Sequence, residues 1–253
     1  MILKTQEFPH DGIKEIIVVD NRLGNKFTTR AHHEVGFRKM CNYLIHNGVI
    51  AGNIFDAGCW IGDNAIPWAM SCPQSTVYAV DPSIKNLAFV KNIAILNEVK
   101  NIECINSALS NCEETLYTSE SLSHCSFTHN KNPKHQVLST SIDILLDRGI
   151  LKDLCFIHLD VEGFENKALE GAKKLLASSS PIIAYEQHLK TDDCQGIANY
   201  LRELGYVTYM ANEVLPGNRK DSRNFWAFKS TPDNLKLVKK LNDYMGENYL
   251  SPI

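Results

Sequence analysis

Residues 155–176, "CFIHLDVEGFENKALEGAKKLL", hold side chains that can do chemistry at a spacing that gathers them. An apolar run ends in His158, Asp160, Glu162 and Gly163, and a helical pattern then begins. Side chains of an extended strand alternate between faces, so His158, Asp160 and Glu162 are expected on one face and Ile157, Leu159 and Val161 on the other. Isolated charges are costly to bury, so such a cluster is either closely paired or stands at an open ligand site. At an open site a carboxylate or imidazole can take a proton from a hydroxyl, and paired carboxylates can hold a hard divalent ion. Glu186, at the end of "PIIAYE", and His188 just beyond it add to the same inventory.

The segments that must position these groups alternate along the chain. Strands are expected at 15–20, 53–58, 75–81, 102–108, 154–160 and 181–186, and near 206–211 and 224–229. Helices are expected at 32–48, 63–71, 83–97, 165–179 and 193–204, with a short one at "SIDILLDRG" and a closing one at "NLKLVKKLNDYM". Strands alternating with helices imply βαβ units and a mostly parallel sheet. The polar stretch 119–138 lacks a pattern and reads as a long loop. Without a repeat or a linker, the chain reads as one α/β domain. Residues 1–50 extend it on the substrate side, 51–230 form the core and 231–253 a helix packed on that core.

Composition narrows the classes. The chain has 253 residues, is 44% hydrophobic and carries a net charge of −3, enough for a sizeable core and without the basic excess that marks a nucleic-acid partner. Its 8 cysteines include no C-x-x-C pair, and several lie in apolar runs, so reduced buried thiols are expected. No signal-peptide pattern opens the chain and no run is long enough to span a bilayer, which gives a cytoplasmic expectation.

In an open parallel sheet, ligands sit beyond the carboxyl ends of the strands. The first such end is "FDAGCWIGDNA", where Asp56 leaves the strand and Gly58 and Gly62 flank a tight turn. Glycine there permits positive φ and close approach of backbone to a ligand. Asp81, about 20 residues after Gly62, ends the next strand and can accept hydrogen bonds from a ribose diol. The loop is D-x-G-x-x-x-G and lacks the third glycine of a dinucleotide fingerprint, with Asp63 and Asn64 standing in its place. It suits an adenosine ligand with an amino-acid tail, whose ammonium meets Asp56 or neighbouring carbonyls.

Taken in order, "FDAGCWIGDNA", "VYAVDPS", "NIECINSALSN", "STSIDILLD", "FIHLDVEGFENKALEGAKKLL", "PIIAYE" and "RNFWAF" resemble the FkbM-type S-adenosylmethionine-dependent methyltransferases over about residues 53–229. The resemblance implies a Rossmann-like methyltransferase fold, a seven-stranded and mostly parallel sheet whose terminal antiparallel hairpin is "GYVTYM" with "RNFWAFK". It also implies methyl transfer from S-adenosylmethionine to an oxygen, commonly a hydroxyl of a sugar or glycan or of a related small metabolite. Carried over by position, Asp56, Gly58 and Gly62, with Asn64 beside them, form the first cofactor loop. Asp81, followed by Pro82, is the ribose-binding acid, and Ser107 and Ala108 line the adenine. Asp160, Glu162, Gly163 and Glu165 match a "DVEG-x-E" signature, and Glu186 the acid after the fifth strand. The family commonly carries lysine where this chain has His158, and small or polar residues where it has Cys59 and Trp60.

For this chemistry the catalytic candidates are Asp160, Glu162, Glu186 and His188. Either Asp160 and Glu186 hold Mg²⁺ or another divalent ion against the acceptor oxygen, or one of Asp160, Glu162, His158 and His188 is a metal-free base. Glu162 has a second reading as the cap of the helix near Glu165. His32 and His33 read as exposed at a helix start, Asp143 and Asp147 as a solvated face, and Trp226 as core. His124, Cys125, His129 and His135 match no standard zinc spacing, and Trp60 and Phe127 are candidates for stacking on a ring. Two other classes share the fold: a nicotinamide-dependent oxidoreductase, which calls for the missing glycine, and a non-catalytic glycan-binding or scaffold protein, in which the carboxylates would be degraded.

Overall fold

The computed structural model describes residues 2–118, 135–213 and 221–253. Strands β1 (Leu3–Phe8) and β2 (Ile13–Val19) form an antiparallel hairpin apart from the main sheet. Helix α1 (Arg22–Arg30) begins where the Asn21 side chain accepts a hydrogen bond from the Gly24 amide. After a turn at 31–34, helix α2 (Val35–His46) follows. The expected helix at 32–48 is thus shorter at both ends. His32 and His33 lie in the turn between two helices, because Glu34 takes a left-handed conformation (φ 50°) that interrupts helical backbone.

The rest of the chain alternates much as its pattern predicts. It runs β3 (Asn53–Ala57), α3 (Ala65–Ser71), β4 (Val77–Val80), α4 (Ile84–Leu96) and β5 (Ile102–Ile105). Then come β6 (Ala108–Leu109), β7 (Thr115–Thr118), β8 (His135–Thr140), α5 (Ile142–Asp147) and β9 (Leu154–Leu159). The last part holds α6 (Glu165–Glu170), α7 (Lys173–Ser178), β10 (Ile182–His188), α8 (Cys194–Glu203), β11 (Tyr206–Ala211), β12 (Ser222–Lys229), α9 (Pro232–Met245) and β13 (Leu250–Pro252).

The main sheet has the order β13-β11-β12-β10-β9-β3-β4-β5. Strands β3, β4, β5, β9 and β10 are parallel, and β12 runs antiparallel between β10 and β11. This is the expected Rossmann-like methyltransferase arrangement with its terminal antiparallel pair. The sheet has eight strands rather than seven, since the tail adds β13 antiparallel to the outer edge of β11. Three residues ending in proline carry no readable strand pattern; the unpaired edge of β11 organises them, and proline is tolerated on an edge.

Both faces of the sheet are covered, which is why its strands read as unbroken apolar runs. Ile54, Phe156, Ala184 and Trp226 join one core with α2 and α3, while Phe55, Ile157, Tyr185 and Phe225 join the other with α5 to α8. Trp226 is fully buried and stacks on Phe156 at 5.7 Å, as its strand position predicts. The helix expected over 165–179 is two helices separated at Gly171 and Ala172, and a Cβ at Gly171 would lie 2.4 Å from the Ser110 carbonyl oxygen as the backbones cross. Asp143, given no role by the sequence pattern, accepts hydrogen bonds from the Lys174 and Leu175 amides at the start of α7. The expected loop is in part strand β8 at residues 135–138, and Phe127, His124, Cys125 and His129 lie outside the described residues. The seven described cysteines are free, and no described helix is long and apolar enough to cross a membrane.

Candidate active site

From β3 the chain moves outward to β4 and β5 and then returns to β9 on the other side of β3. The order of strands therefore reverses between β3 and β9, and ligands of such sheets bind in the crevice beyond the carboxyl ends at this point. Asp56 stands opposite His158 and Ala57 opposite Leu159 in the parallel register, and the Asp160 amide donates to the Ala57 carbonyl at 3.0 Å. Gly58, at φ 77°, crosses directly over this junction: a Cβ there would lie 1.7 Å from the Asp160 carbonyl oxygen. Only glycine lets the first loop and the acidic signature meet. The loop is held by the Gly58 and Cys59 amides donating to the Val80 carbonyl at 2.9 and 3.1 Å.

Asp56 is 1% exposed, and its Oδ1 lies 2.8 Å from His158 Nδ1. Its Oδ2 is buried without a hydrogen-bond partner among the described residues, and so is Oδ1 of Asn64 just before α3. Burial pushes the Asp56 carboxyl up, against the hydrogen bond from His158. Buried acceptors without partners are rare, and two of them flanking one turn fit the ammonium of an amino-acid tail, which donates three hydrogen bonds and accepts none.

Asp81 ends β4, its Oδ1 accepting from the Ser83 amide (2.7 Å) and Asn86 Nδ2 (3.1 Å) and its Oδ2 from the Trp60 amide (3.0 Å). A carboxylate has about four lone-pair sites, so Oδ2 keeps one for a ligand hydroxyl. Burial pushes this carboxyl up to about 7 despite those three donors. Asn106 Nδ2 donates to the Asp81 and Pro82 carbonyls, tying the third strand end to the second. Ser107 spends its hydroxyl on the Leu138 and Ala108 carbonyls, and Ala108 pairs with Ser139 of β8.

The opposite wall corrects two expectations. His158 is 4% exposed, with its ring 5.0 Å from that of Phe37 and 5.6 Å from that of Trp68, so it supports Asp56 from the core and is no open base. Strand β9 stops at Leu159 and Glu162 takes a left-handed conformation (φ 51°), so alternation does not carry Glu162 onto the face of His158. Glu165 folds back on the turn before α6, its Oε1 accepting from the Val161 amide (3.0 Å) and its Oε2 from the Gly163 amide (3.1 Å). Burial pushes the Glu165 carboxyl up to about 7.

Asp160, Glu162, Glu186 and His188 lie close enough to act on one another electrostatically. Asp160 is half-buried, and its carboxyl is pushed well above the usual range by desolvation and then by Glu186, Glu162 and Glu34. Such a group lies back in a recess rather than on a convex surface. Glu186 is pushed up by burial and then by Glu34, with Ser222 and His188 opposing. Among the described residues no group of three or more His, Cys, Asp and Glu side chains is arranged to hold a metal ion, so the structure adds no support to Mg²⁺ at Asp160 and Glu186.

Several residues that complete the site escaped the sequence reading. Arg30 donates from Nε to Asp63 Oδ2 (2.8 Å) and from Nη2 to Glu34 Oε2 (2.5 Å), and its guanidinium carbon lies 5.9 Å from the Trp60 ring centroid. Arg38 is fully buried and donates to Asp63 Oδ2 at 3.0 Å and to Asp11 Oδ2 at 3.2 Å. Burial would raise the Asp63 carboxyl, but the two arginines hold it below its ordinary value. Asp63, standing where a third glycine would be, thus ties the first loop to the amino-terminal helices. Arg30, Glu34 and Arg38 recur every fourth residue, the one sequence signal that could have revealed them. Glu213, outside any motif, accepts from the Gly36 and Phe37 amides and fixes the start of α2.

Comparison with known proteins adds to this geometry. The family model described as the methyltransferase FkbM domain matches residues 56–208, more than half of the chain. A search of curated proteins finds no match. Among solved structures, the methyltransferase FkbM from Methylobacillus flagellatus KT is similar with a TM-score of 0.51 and 16% sequence identity, covering 70% of this chain and 43% of that one. The magnesium protoporphyrin IX methyltransferase from Synechocystis, solved with bound S-adenosylhomocysteine, gives a TM-score of 0.49 and 15% identity over 84% of this chain and 89% of that one. The chain thus spans less than half the length of the first of these, and at such identities the likeness is one of fold.

Proposed function

Because the chain belongs to the FkbM methyltransferase family, we propose that it moves a methyl group from S-adenosylmethionine to a hydroxyl oxygen of a sugar, a glycan or a related small metabolite. The observation that carries this reading is the pairing across one crevice of two unpartnered buried acceptors, on Asp56 and Asn64, with the raised carboxyls of Asp160 and Glu186. The cofactor supplies an electrophilic methyl on a sulfonium whose departure leaves a neutral thioether. Asp56 and Asn64 hold the ammonium of its tail, and Asp81 accepts from a ribose hydroxyl. Asp160 receives the acceptor proton as the new oxygen–carbon bond forms and the sulfur–carbon bond breaks. Burial and its acidic neighbours make it a stronger base than an ordinary aspartate. Glu186, steadied by Ser222 and His188, orients the acceptor. Arg30 and Glu34 place the amino-terminal extension on the acceptor side.

Calorimetric titration with S-adenosylhomocysteine tests the cofactor half. Wild-type protein is expected to bind in the micromolar range and Asp81→Ala about 10- to 100-fold more weakly, the usual cost of a lost hydrogen bond to a charged group. Failure of folded wild-type protein to bind would sink the proposal.

The same titration carries a pH signature. Asp81 serves the ribose best as a carboxylate, and burial places its pKa at about 7. Its ionised fraction, and with it the affinity, should rise about tenfold between pH 6 and pH 8 and then level off. In Asp81→Asn the step should vanish. A wild-type affinity that is flat over this range would show that Asp81 is not the ribose partner.

A further inference from the structure

The acceptor side of the crevice has a composition the proposed reaction does not require. Glu186 and Asn224 are cross-strand partners on β10 and β12, and Asn224 Nδ2 donates to Glu34 Oε1 at 3.3 Å. That contact fixes the amide orientation, since only the NH₂ group can face a carboxylate. Asn224 is 2% exposed, and its Oδ1 is left buried without a hydrogen-bond partner among the described residues.

The donors near this acceptor are engaged. Arg30 is divided between Asp63 and Glu34, and the Ser222 hydroxyl lies 2.7 Å from His188 Nδ1 while it also steadies Glu186. Among the described residues, the Asn224 oxygen and the carboxylates of Asp160 and Glu186 are groups that can meet a ligand here. This wall offers acceptors and negative charge. A sugar hydroxyl, both donor and acceptor, would use it in part, whereas an ammonium, with three donors and no acceptor, matches it fully. Phosphate or carboxylate groups would meet like charge.

We propose that the acceptor carries a protonated amine next to the hydroxyl that is methylated, the amine being held by Asn224 Oδ1, Glu186 and Asp160. This rests on the methyl-transfer reading of the same crevice. The amine anchors, and the neighbouring hydroxyl reacts: its proton passes to Asp160 as its oxygen takes the methyl. Selectivity follows from the charge-assisted hydrogen bonds on one side and from repulsion of anionic analogues on the other.

Protein loaded with S-adenosylhomocysteine is titrated at pH 7 with 2-amino-2-deoxyglucose, glucose and glucose 6-phosphate. The amino sugar is expected to bind at least about tenfold more tightly than glucose, and the phosphate most weakly. Glu186→Gln, nearly unchanged in shape, should cut the amino-sugar affinity at least about fivefold more than it cuts that of glucose. Equal binding of amino sugar and glucose, tightest binding of the phosphate, or no binding of the amino sugar would each overturn the amine assignment while methyl transfer stands. Failure to load S-adenosylhomocysteine would instead bring down the reading beneath it.

Discussion

Asp160→Asn is expected to lower methyl transfer by about 10²- to 10⁴-fold while S-adenosylhomocysteine still binds within about threefold of wild type. The substitution keeps the size of the side chain and leaves the backbone bond from the Asp160 amide to the Ala57 carbonyl, so the strand end and the loop above it persist. What disappears is the proton acceptor. Desolvation, together with Glu186, Glu162 and Glu34, holds the Asp160 carboxyl well above the usual range, which strengthens it as a base. The base works ionised, so the wild-type rate should climb with pH through that raised pKa and then level off. The measurement is S-adenosylhomocysteine release with an acceptor found by screening, followed across pH. If Glu186→Gln costs more turnover than Asp160→Asn, the roles of the two acids are reversed.

Arg38→Met is expected to destabilise the protein by about 3–5 kcal/mol, the usual cost of removing one partner from a buried ionic network. Arg38 is fully buried, and its partners Asp11 and Asp63 are 3% and 4% exposed. Methionine fills much of the volume but leaves both carboxylates short of the cation that stabilises them. In a chain of this size the melting temperature should fall by roughly 10 °C or more. Asp63 would keep Arg30 but lose its second anchor, so the first loop should loosen and S-adenosylhomocysteine affinity should drop as well. Adding Asp11→Asn to Arg38→Met should recover part of the lost stability, because the neutral amide no longer needs a counter-ion. A melting temperature within about 2 °C of wild type would show that the network contributes little.

The two variants probe opposite kinds of information. Asp160 stands at a position that local rules identify: an apolar strand, an acid at its end, a glycine turn and a helix. The same rules located Asp56, Gly58 and Asp81, since a strand-to-turn junction is encoded within a few residues and repeats at each carboxyl end of a parallel sheet. Asp160 and Glu186 could be placed side by side for the same reason, because sequential parallel strands are usually neighbours.

Arg38 belongs to the other kind. Its partners Asp11 and Asp63 lie 27 and 25 residues away, and the bonds form only once the hairpin and α2 fold over the first loop. Glu213 reaches the start of α2 across 177 residues, and Asn224 meets Glu34 across 190. His158 looked like an open base because strand alternation says which face a residue takes and nothing about what covers that face. Phe37 and Trp68 cover it. Strand β13 had no pattern of its own and exists because β11 offers an edge.

Periodicity, turn chemistry and the order of motifs therefore sufficed for the parallel strands and for the loops and acids at their carboxyl ends, all of which depend on interactions over a few residues. Which acids are exposed, which are paired and which are raised toward neutrality was decided by tertiary packing. Desolvation and charge–charge energies depend on distances in space, and those distances exist only after distant segments have packed together.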